Sequence, residues 1–377
     1  MTARPDSTRI GRLIGGLNGP QTLGRGPLFW SGFVACVVLF ALSPLVLGRF
    51  QVINLSNFMI FSLLALSLCL IWGYAGILSL GQACFMGIGG YAFGIAAINL
   101  IGAHGNTGVA VLVGIAVPMA FAALLGAAMF YARLEGVYVA ILTLVISRLL
   151  ETFLLQTADT AYRIGDAALG GSNGLRSLAA GDGSLPNLII GAGSWAIEFD
   201  GRGYGFFYLT LAVLVVVYLG LRWLVNSSAG YLLLAVREDP QRTETFGYDV
   251  RPVQLAVFCL SAGIAGLAGV LYTAWGTYIH PSAFGIATNI LPVIWVGVAG
   301  RKDLTAALVG ALILQWLSLQ LAAQGDYAPV VMGAILVVAM MIAPEGLLTQ
   351  TLARLGARRR ARGPDPAPAA LGKAERA

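Results

Sequence analysis

Long uninterrupted apolar segments are the feature of this sequence that most restricts its fold. A helix needs about 20 apolar residues to cross the hydrocarbon core of a bilayer, and in lipid every backbone N–H and C=O group must be paired within the spanning structure. Long runs favour helices over a β-barrel, whose strands are roughly 10-residue alternating segments. We therefore predict an all-α polytopic membrane protein of about ten transmembrane helices. The predicted spans are Leu28–Leu47, Leu55–Trp72, Ile77–Ile101, Thr107–Tyr131, Val137–Leu155, Gly205–Val225, Pro252–Trp275, Ile286–Ala299, Leu304–Ala322 and Ala328–Ala343.

The chain carries too few charges to cover a soluble surface of its size. Only 11% of its 377 residues are charged and 58% are hydrophobic, whereas about 25% of an average soluble chain is charged. This composition excludes a cytosolic enzyme, a nucleic-acid-binding protein and a secreted domain. The four cysteines all lie within predicted spans and none has a Cys-x-x-Cys spacing. Neither a disulfide framework nor a zinc site is therefore expected. No metal or cofactor is predicted.

The positive charges predict how the chain is oriented. With the N-terminus in the cytoplasm and the loops assigned alternately, 17 of the 23 Lys and Arg residues fall inside and 4 fall outside. The other two, Arg148 and Arg222, lie within spans. This asymmetry follows the positive-inside rule and places both termini in the cytoplasm. Because the eighth and tenth segments are short, eight or nine spans remain an alternative to ten.

Three parts are predicted along the chain. A cytoplasmic N-terminal tail covers 1–27, a transmembrane domain covers 28–348, and a disordered cytoplasmic tail covers 349–377. The 156–204 loop divides the ten spans into five plus five. Because each half has an odd number of spans, the second half would cross the membrane in the opposite direction to the first. An inverted repeat is therefore predicted.

The third span is unusually rich in glycine, where a simple lipid-facing helix would use leucine. Ser79 and Gln82 add polar atoms at its entry. Polar groups at that depth must find partners in protein or line a cavity. Two interpretations stay open: tight packing with Gln82 bonded to a neighbouring backbone, or a broken helix that lines a translocation path. The glycines predicted to pack helices closely are Gly81, Gly87, Gly90, Gly94, Gly266 and Gly269.

Two further features involve polar residues near the fifth span. Arg148 and Glu151 are three residues apart, so they share a helical face and are predicted to pair. In the following loop, three glycines surround Ser172 and Asn173 within Leu169–Leu175. Glycine-rich backbone reaches φ values closed to other residues and so presents main-chain groups to a ligand. A plain surface turn is the alternative.

The 226–251 segment is long for a connection between two spans and mixes bases with acids. Glu238 and Asp239 precede Pro240, which marks a helix boundary because proline suits the first turn of a helix. Such a segment suits docking on a partner protein. The charge pattern by itself favours a solvated loop.

Several motifs resemble the membrane permeases of branched-chain amino acid ABC importers, the LivM type. This similarity extends over roughly 73–348. The stretch Trp295–Arg301 also resembles the related permeases for urea and short amides. The motifs that carry the resemblance are Tyr74–Gln82 (YAGILSLGQ), Tyr138–Leu144 (YVAILTL), Gly170–Leu175 (GGSNGL), Ala235–Asp239 (AVRED), Phe258–Tyr272 (FCLSAGIAGLAGVLY) and Pro281–Phe284 (PSAF).

The resemblance implies a permease subunit in a bacterial inner membrane. It implies four partners: a second, related permease, two cytoplasmic ATPase subunits and an extracytoplasmic substrate-binding protein, with membrane lipid around them. It also implies that 229–251 is the coupling segment, with Arg237, Glu238, Asp239 and Arg242 facing the ATPase subunits. The residues expected to line the substrate path are Ser79, Gln82, Thr143, Ser172 and Asn173.

The chain has no phosphate-binding loop of its own, since no Gly-x-x-x-x-Gly-Lys-[Ser/Thr] occurs in it. ATP hydrolysis is therefore expected on separate subunits, and the chain itself is not expected to be an enzyme. Glu151 is the only acid well inside a predicted span, whereas ion-coupled carriers mark their path with such residues. An ion-coupled secondary carrier is thus the less favoured alternative.

Overall fold

The computed structural model describes residues 17–22, 24, 26–158, 161–178, 183–191, 197–322, 328–342, 346 and 350. Most of the two predicted tails lies outside these residues. Within them the chain is mostly helical, and ten apolar helices correspond in order to the ten predicted spans.

The helices fall into two groups around a loop that contains short strands. The first group is α1 (Pro27–Val46), α2 (Arg49–Leu68), α3 (Gln82–His104), α4 (Gly108–Tyr131) and α5 (Val137–Leu155). The second is α6 (Tyr204–Val225), two short helices α7 (Ser228–Glu238) and α8 (Pro240–Thr245), then α9 (Val250–Gly276), α10 (Ile286–Ala299), α11 (Leu304–Ala322) and α12 (Ala328–Ile342).

The loop between α5 and α6 forms two small antiparallel sheets. The first contains β1 (Arg163–Ile164), β2 (Ala167–Ala168) and β3 (Arg176–Ser177), with Arg163 opposite Ala168 and Ala167 opposite Ser177. The second pairs β4 (Leu188–Ile190) with β5 (Ile197–Phe199). These short strands belong to the loop and not to the helical bundle, so the fold remains in the all-α class.

Eight helices of the described chain are long and apolar enough to cross a membrane. The remaining two apolar helices are shorter: α10 has 14 residues and α12 has 15. The outer surface is strongly apolar, and none of the twenty residues of α1, all of them described, is buried. This confirms a polytopic helical membrane fold, whereas the exact number of spans and the inverted repeat remain predictions.

The centre of the bundle is α9, which packs against α2, α3 and α4. Glycine makes the closest of these approaches feasible. A Cβ at Gly89 of α3 would lie 2.5 Å from the Cα of Gly266, and one at Gly269 would collide with the carbonyl oxygen of Met86. Backbone therefore packs on backbone where α3 and α9 meet, as small-residue helix interfaces in membranes do.

The largest departure from the predicted elements is at the third span, which begins at Gln82 rather than at Ile77. The preceding helix does not stop at Trp72 either, because α2 continues into one π-helical stretch, Cys69–Tyr74. Residues 75–81 are then non-helical. Gly76 has φ +76°, a left-handed conformation that favours glycine and ends the helix.

Candidate functional site: a polar cluster at a helix break

Most of the break between α2 and α3 is buried in the folded bundle. Tyr74, Ala75, Ile77 and Ser79 are all buried. The backbone N–H of Ile77 still donates to the carbonyl of Ile71, 3.0 Å away, which closes the π-helical stretch. Other polar groups along such a break must find partners elsewhere, because apolar surroundings offer none. π-Helical stretches and interrupted membrane helices often occur at functional sites.

Gln82 begins α3 and connects three helices through its side chain. Its Nε2 donates to the Oγ atoms of Ser67 in α2 and Ser261 in α9, at 2.9 and 2.8 Å. Ser261 Oγ in turn donates to the carbonyl of Ser67 at 2.8 Å. Gln82 is 1% exposed. Its strongest partners are therefore side chains of neighbouring helices, not backbone groups.

Two polar atoms of this cluster are left without a partner. Gln82 Oε1 and Ser79 Oγ are both buried. Neither atom forms a hydrogen bond with any part of the chain that the structure describes. A buried unpaired polar group costs about 1–3 kcal/mol. Such groups in a bundle core are suited to bind a polar ligand or water that passes the site.

Asn289 of α10 closes the N-terminus of α3, and sequence analysis did not single it out. Its Oδ1 accepts from the backbone N–H of Ala83 at 3.1 Å. Its Nδ2 donates to Ser147 Oγ of α5 at 2.8 Å and to the carbonyls of Phe284 and Gly285 at 3.0 and 2.9 Å. A polar residue within a 14-residue apolar helix was the signal that could have identified it.

Thr143 meets the break through its backbone. A side chain at Gly81 would collide with the carbonyl oxygen of Thr143. The hydroxyl of Thr143 donates to Ala140 within α5, at 2.9 Å, and so is occupied. The backbone of Thr143 therefore packs closely on the break, and the hydrogen bond that its hydroxyl donates stays within α5.

Ser172 and Asn173 lie apart from this cluster, in an exposed 3₁₀ turn, Gly171–Asn173. The carbonyl of Ser172 accepts from His280 Nε2 at 2.9 Å. Because His280 Nδ1 accepts from the backbone N–H of Ser282, the proton of the neutral ring is assigned to Nε2. The five predicted path residues thus form two groups, one at the break and one at an exposed turn.

Two aromatic side chains, Phe284 and Tyr91, pack together at α3. Phe284, in the 3₁₀ turn Pro281–Phe284, is buried and its ring lies against Gly87, where a Cβ would approach it to 2.6 Å. Its ring centroid is 5.8 Å from that of Tyr91.

Two further glycines of α3 also meet other segments closely. Gly94 lies against Leu175 of the loop. Gly90 faces Thr273 and Gly269 of α9.

The predicted coupling segment divides into inward-facing and outward-facing side chains. Asp239 caps α8 by accepting from the backbone N–H of Arg242 at 2.9 Å, and their side chains pair at 3.5 Å. Glu238 and Arg242 are exposed, and the Arg237 guanidinium holds the pKa of the Glu238 carboxyl below its ordinary value. Arg237 instead is turned inward, with 19% of its side chain exposed, and donates to the carbonyl of Gly73 at 2.6 Å.

Two arginines within the predicted spans are also accounted for. Arg148 and Glu151 form the predicted ion pair on α5. Arg222 of α6 is fully buried and donates to the carbonyl of Leu17 at 2.7 Å and to Tyr218 Oη at 3.0 Å. It also stacks on Phe29, 4.4 Å from the ring centroid. Arg222 thereby fixes the described part of the N-terminal tail against α6.

Comparison with known proteins identifies relatives that extend over most of the chain. A family model described as "Branched-chain amino acid transport system / permease component" matches residues 32–342. The chain is 28% identical over 340 residues to the high-affinity branched-chain amino acid transport system permease protein LivM of Escherichia coli (strain K12), covering 85% of this chain and 75% of that protein. The protein of the same description from Salmonella typhimurium is 28% identical over 338 residues, with the same coverage.

A more distant relative comes from an archaeon. The probable branched-chain amino acid transport permease protein LivM of Methanocaldococcus jannaschii is 26% identical over 287 residues, covering 68% of this chain and 76% of that protein. No solved structure matches the chain.

Proposed function

The chain belongs to the branched-chain amino acid transport permease family, and from this premise we propose that it is the membrane subunit of an ATP-binding cassette importer for branched-chain or other hydrophobic amino acids. Membership makes it a multi-pass membrane transport protein. The importer, its partners and its substrate are the proposed part. The observation that carries the proposal is the buried polar cluster at the α2–α3 break, which has unpaired atoms of Ser79 and Gln82.

The proposed path passes this cluster between α2, α3, α9 and α10. Substrate amino and carboxylate groups need hydrogen-bonding partners during transit, and Ser79 and Gln82 offer them in an otherwise apolar bundle. Ser172 and Asn173 would line the outer entrance, beyond Phe284. Alternating access would re-pack α3 against α9, whose backbones meet at Gly89 and Gly266.

Energy would come from separate subunits, and the lack of a phosphate-binding loop in the sequence is consistent with this. We propose a complex with a second, homologous permease, two cytoplasmic ATPase subunits and an extracytoplasmic substrate-binding protein, in a bacterial inner membrane. Glu238 and Arg242 are exposed charges of the coupling segment, and we propose that they contact the ATPase subunits.

Gln82→Met tests the path directly. Methionine keeps the length of the side chain but removes both polar atoms, and Ser261 still donates to Ser67, so the helix contact is retained. In proteoliposomes that contain the assembled importer, we expect leucine uptake to fall about tenfold while the complex remains intact. Gln51→Met is the matched control, because Gln51 is exposed at the start of α2.

Three results would contradict the proposal. Unchanged uptake by Gln82→Met would remove the cluster from the path. Uptake of urea or short amides, but not of leucine, would assign the chain to the related amide permeases. Uptake by this chain alone, driven by an ion gradient without ATP, would make it a secondary carrier.

A further inference from the structure

Arg237 connects the coupling segment to the helix break, a contact that joins two parts of the chain 164 residues apart. We propose that Arg237 is a latch: it holds the end of α2 at Gly73, and its release by movement of α7 and α8 opens the polar cluster at Gln82. This inference rests on the proposed function. It makes Arg237 a positioning residue, in contrast to the expectation that it faces the ATPase subunits.

The guanidinium acts on the exposed end of an interrupted helix. The last carbonyls of a helix have no partner in the helix, and they carry its negative partial charge. Gly73 belongs to the π-helical stretch that ends α2, and its carbonyl accepts from Arg237 Nη1 at 2.6 Å. A charged donor at this position is the favourable C-terminal partner for a helix that stops inside the bundle.

The apolar stem of Arg237 contacts the next part of the break. Its Cγ lies 2.7 Å from where a Cβ of Gly76 would be, and Gly76 has φ +76°. Residues 73–76 are thus held by both the head and the stem of one side chain. Six residues after Gly76 the chain reaches Gln82, so a displacement of this segment is transmitted to the polar cluster along a short stretch in which Ile77, Ser79 and Gly81 are buried.

Glu238 provides the exposed end of the latch. Its Oε1 accepts from Arg237 Nε at 3.1 Å and from Nη2 at 2.5 Å. These bonds hold the guanidinium in the plane that points Nη1 at Gly73. With 69% of its side chain exposed, Glu238 is available to a cation on a partner surface, which would compete for it. The chain of contacts thus runs from the surface of α7 to the break.

A native cysteine reports on the latch in the isolated chain. Cys69 lies in the same π-helical stretch, is fully buried, and has its Sγ 3.5 Å from the Cβ position of Gly73. In the full chain with Cys36→Ser, Cys84→Ser and Cys259→Ser, we expect Arg237→Met to accelerate labelling of Cys69 by N-ethylmaleimide about tenfold. Arg237→Lys, which still donates to Gly73, should label within about twofold of the parent chain.

The control is Arg242→Met, which removes an exposed arginine that pairs only with its own turn. It should leave Cys69 labelling unchanged. If Arg237→Met labels at the parent rate, or if Arg242→Met accelerates labelling equally, the latch is refuted. Because this experiment needs no partner subunit, its outcome does not depend on the proposed importer.

The assembled importer tests what the latch does. Trapping with ATP and vanadate should change the labelling rate of Cys69 in the parent complex. In Arg237→Met the rate should no longer respond to nucleotide, leucine uptake should fall about tenfold, and ATP hydrolysis should continue with the ATPase subunits still bound. Arg237→Lys should restore the nucleotide response.

The other outcomes separate the two proposals. Loss of the ATPase subunits from Arg237→Met would make Arg237 a docking residue and overturn the latch. A normal nucleotide response in Arg237→Met would also overturn it. Failure of the parent chain to bind any ATPase subunit would overturn the proposed function, and with it the role of the latch in transport, while the labelling of the isolated chain would still decide whether Arg237 holds the break.

Discussion

Asn289 forms side-chain hydrogen bonds to more segments than Gln82 or Thr143 of the candidate site. It lies in α10 and bonds to α3, α5 and the 3₁₀ turn before α10, so it joins the first group of helices to the second. In a membrane the alternative to such bonds is an unpaired polar group among apolar side chains. The geometry also makes Asn289 the only described side chain that caps α3.

Asn289→Ala should therefore destabilise the fold. The change leaves the N–H of Ala83 uncapped and removes the amide between α5 and α10, a loss of about 2–4 kcal/mol for a buried polar network. We expect a clear decrease in the midpoint of thermal unfolding of the detergent-solubilised chain. Asn54→Ala is the matched control, because Asn54 donates only to Phe50 of its own helix. An equal decrease in both variants would contradict the special role of Asn289.

The predictions from sequence succeeded for residues whose role follows from local spacing. Arg148 and Glu151 are one turn apart on α5, and they pair. The direction of Arg237 could not be predicted in the same way, because its partner is Gly73 in another helix. Likewise, Gln82 was identified as a polar group at depth, but its partners Ser67 and Ser261 come from two distant segments.

At the scale of helices, apolar length predicted each of the ten helices but not where α2 and α3 are interrupted. Apolar content continues from Ile71 through Leu80, so hydropathy shows no boundary there. The interruption depends on backbone conformation at Gly76 and on support from Arg237, Asn289 and Thr143. Hydropathy is insensitive to such contacts, and a glycine-dense span was the one signal of a break.

The contact between α3 and α9 leads to a prediction for Gly269. A methyl group there would collide with the backbone carbonyl of Met86, and backbone cannot rotate away as a side chain can. Gly269→Ala should therefore separate the two helices, with a cost of about 1–3 kcal/mol for overpacking. We expect less folded protein on size-exclusion chromatography and a lower midpoint of thermal unfolding.

Gly276 provides the control for this substitution. It is the last residue of the same helix, and a Cβ there would contact nothing within 4 Å. Gly276→Ala should therefore leave the elution profile and the unfolding midpoint near those of the parent chain. Normal stability of Gly269→Ala would show that the two helices separate at little cost.

At the scale of the whole molecule, several segments that the positive charges assign to the cytoplasm lie in contact. Segments assigned to the cytoplasm contact one another: Arg237 contacts Gly73, which lies against Arg301, and Arg133 lines the same small cleft as Glu244 and Arg251. The described N-terminal residues join them, since Gln21 bonds to Asn226. These contacts are independent of the charge asymmetry, and they support one common side for 226–251, 301–302 and the N-terminal tail.

Orientation in the membrane can then be tested with two exposed positions. Thr245 lies on α8 of the coupling segment, and Ser172 lies in the turn after β2. Thr245→Cys and Ser172→Cys are each made in a chain that also carries Cys36→Ser, which removes the exposed native cysteine. If the positive charges set the orientation, a membrane-impermeant maleimide should label Ser172→Cys in intact cells and Thr245→Cys only after the membrane is opened. The reverse pattern would place the coupling segment outside the cell, where no ATPase subunit could reach Glu238, and labelling of both positions in intact cells would show that the chain does not separate them by a membrane.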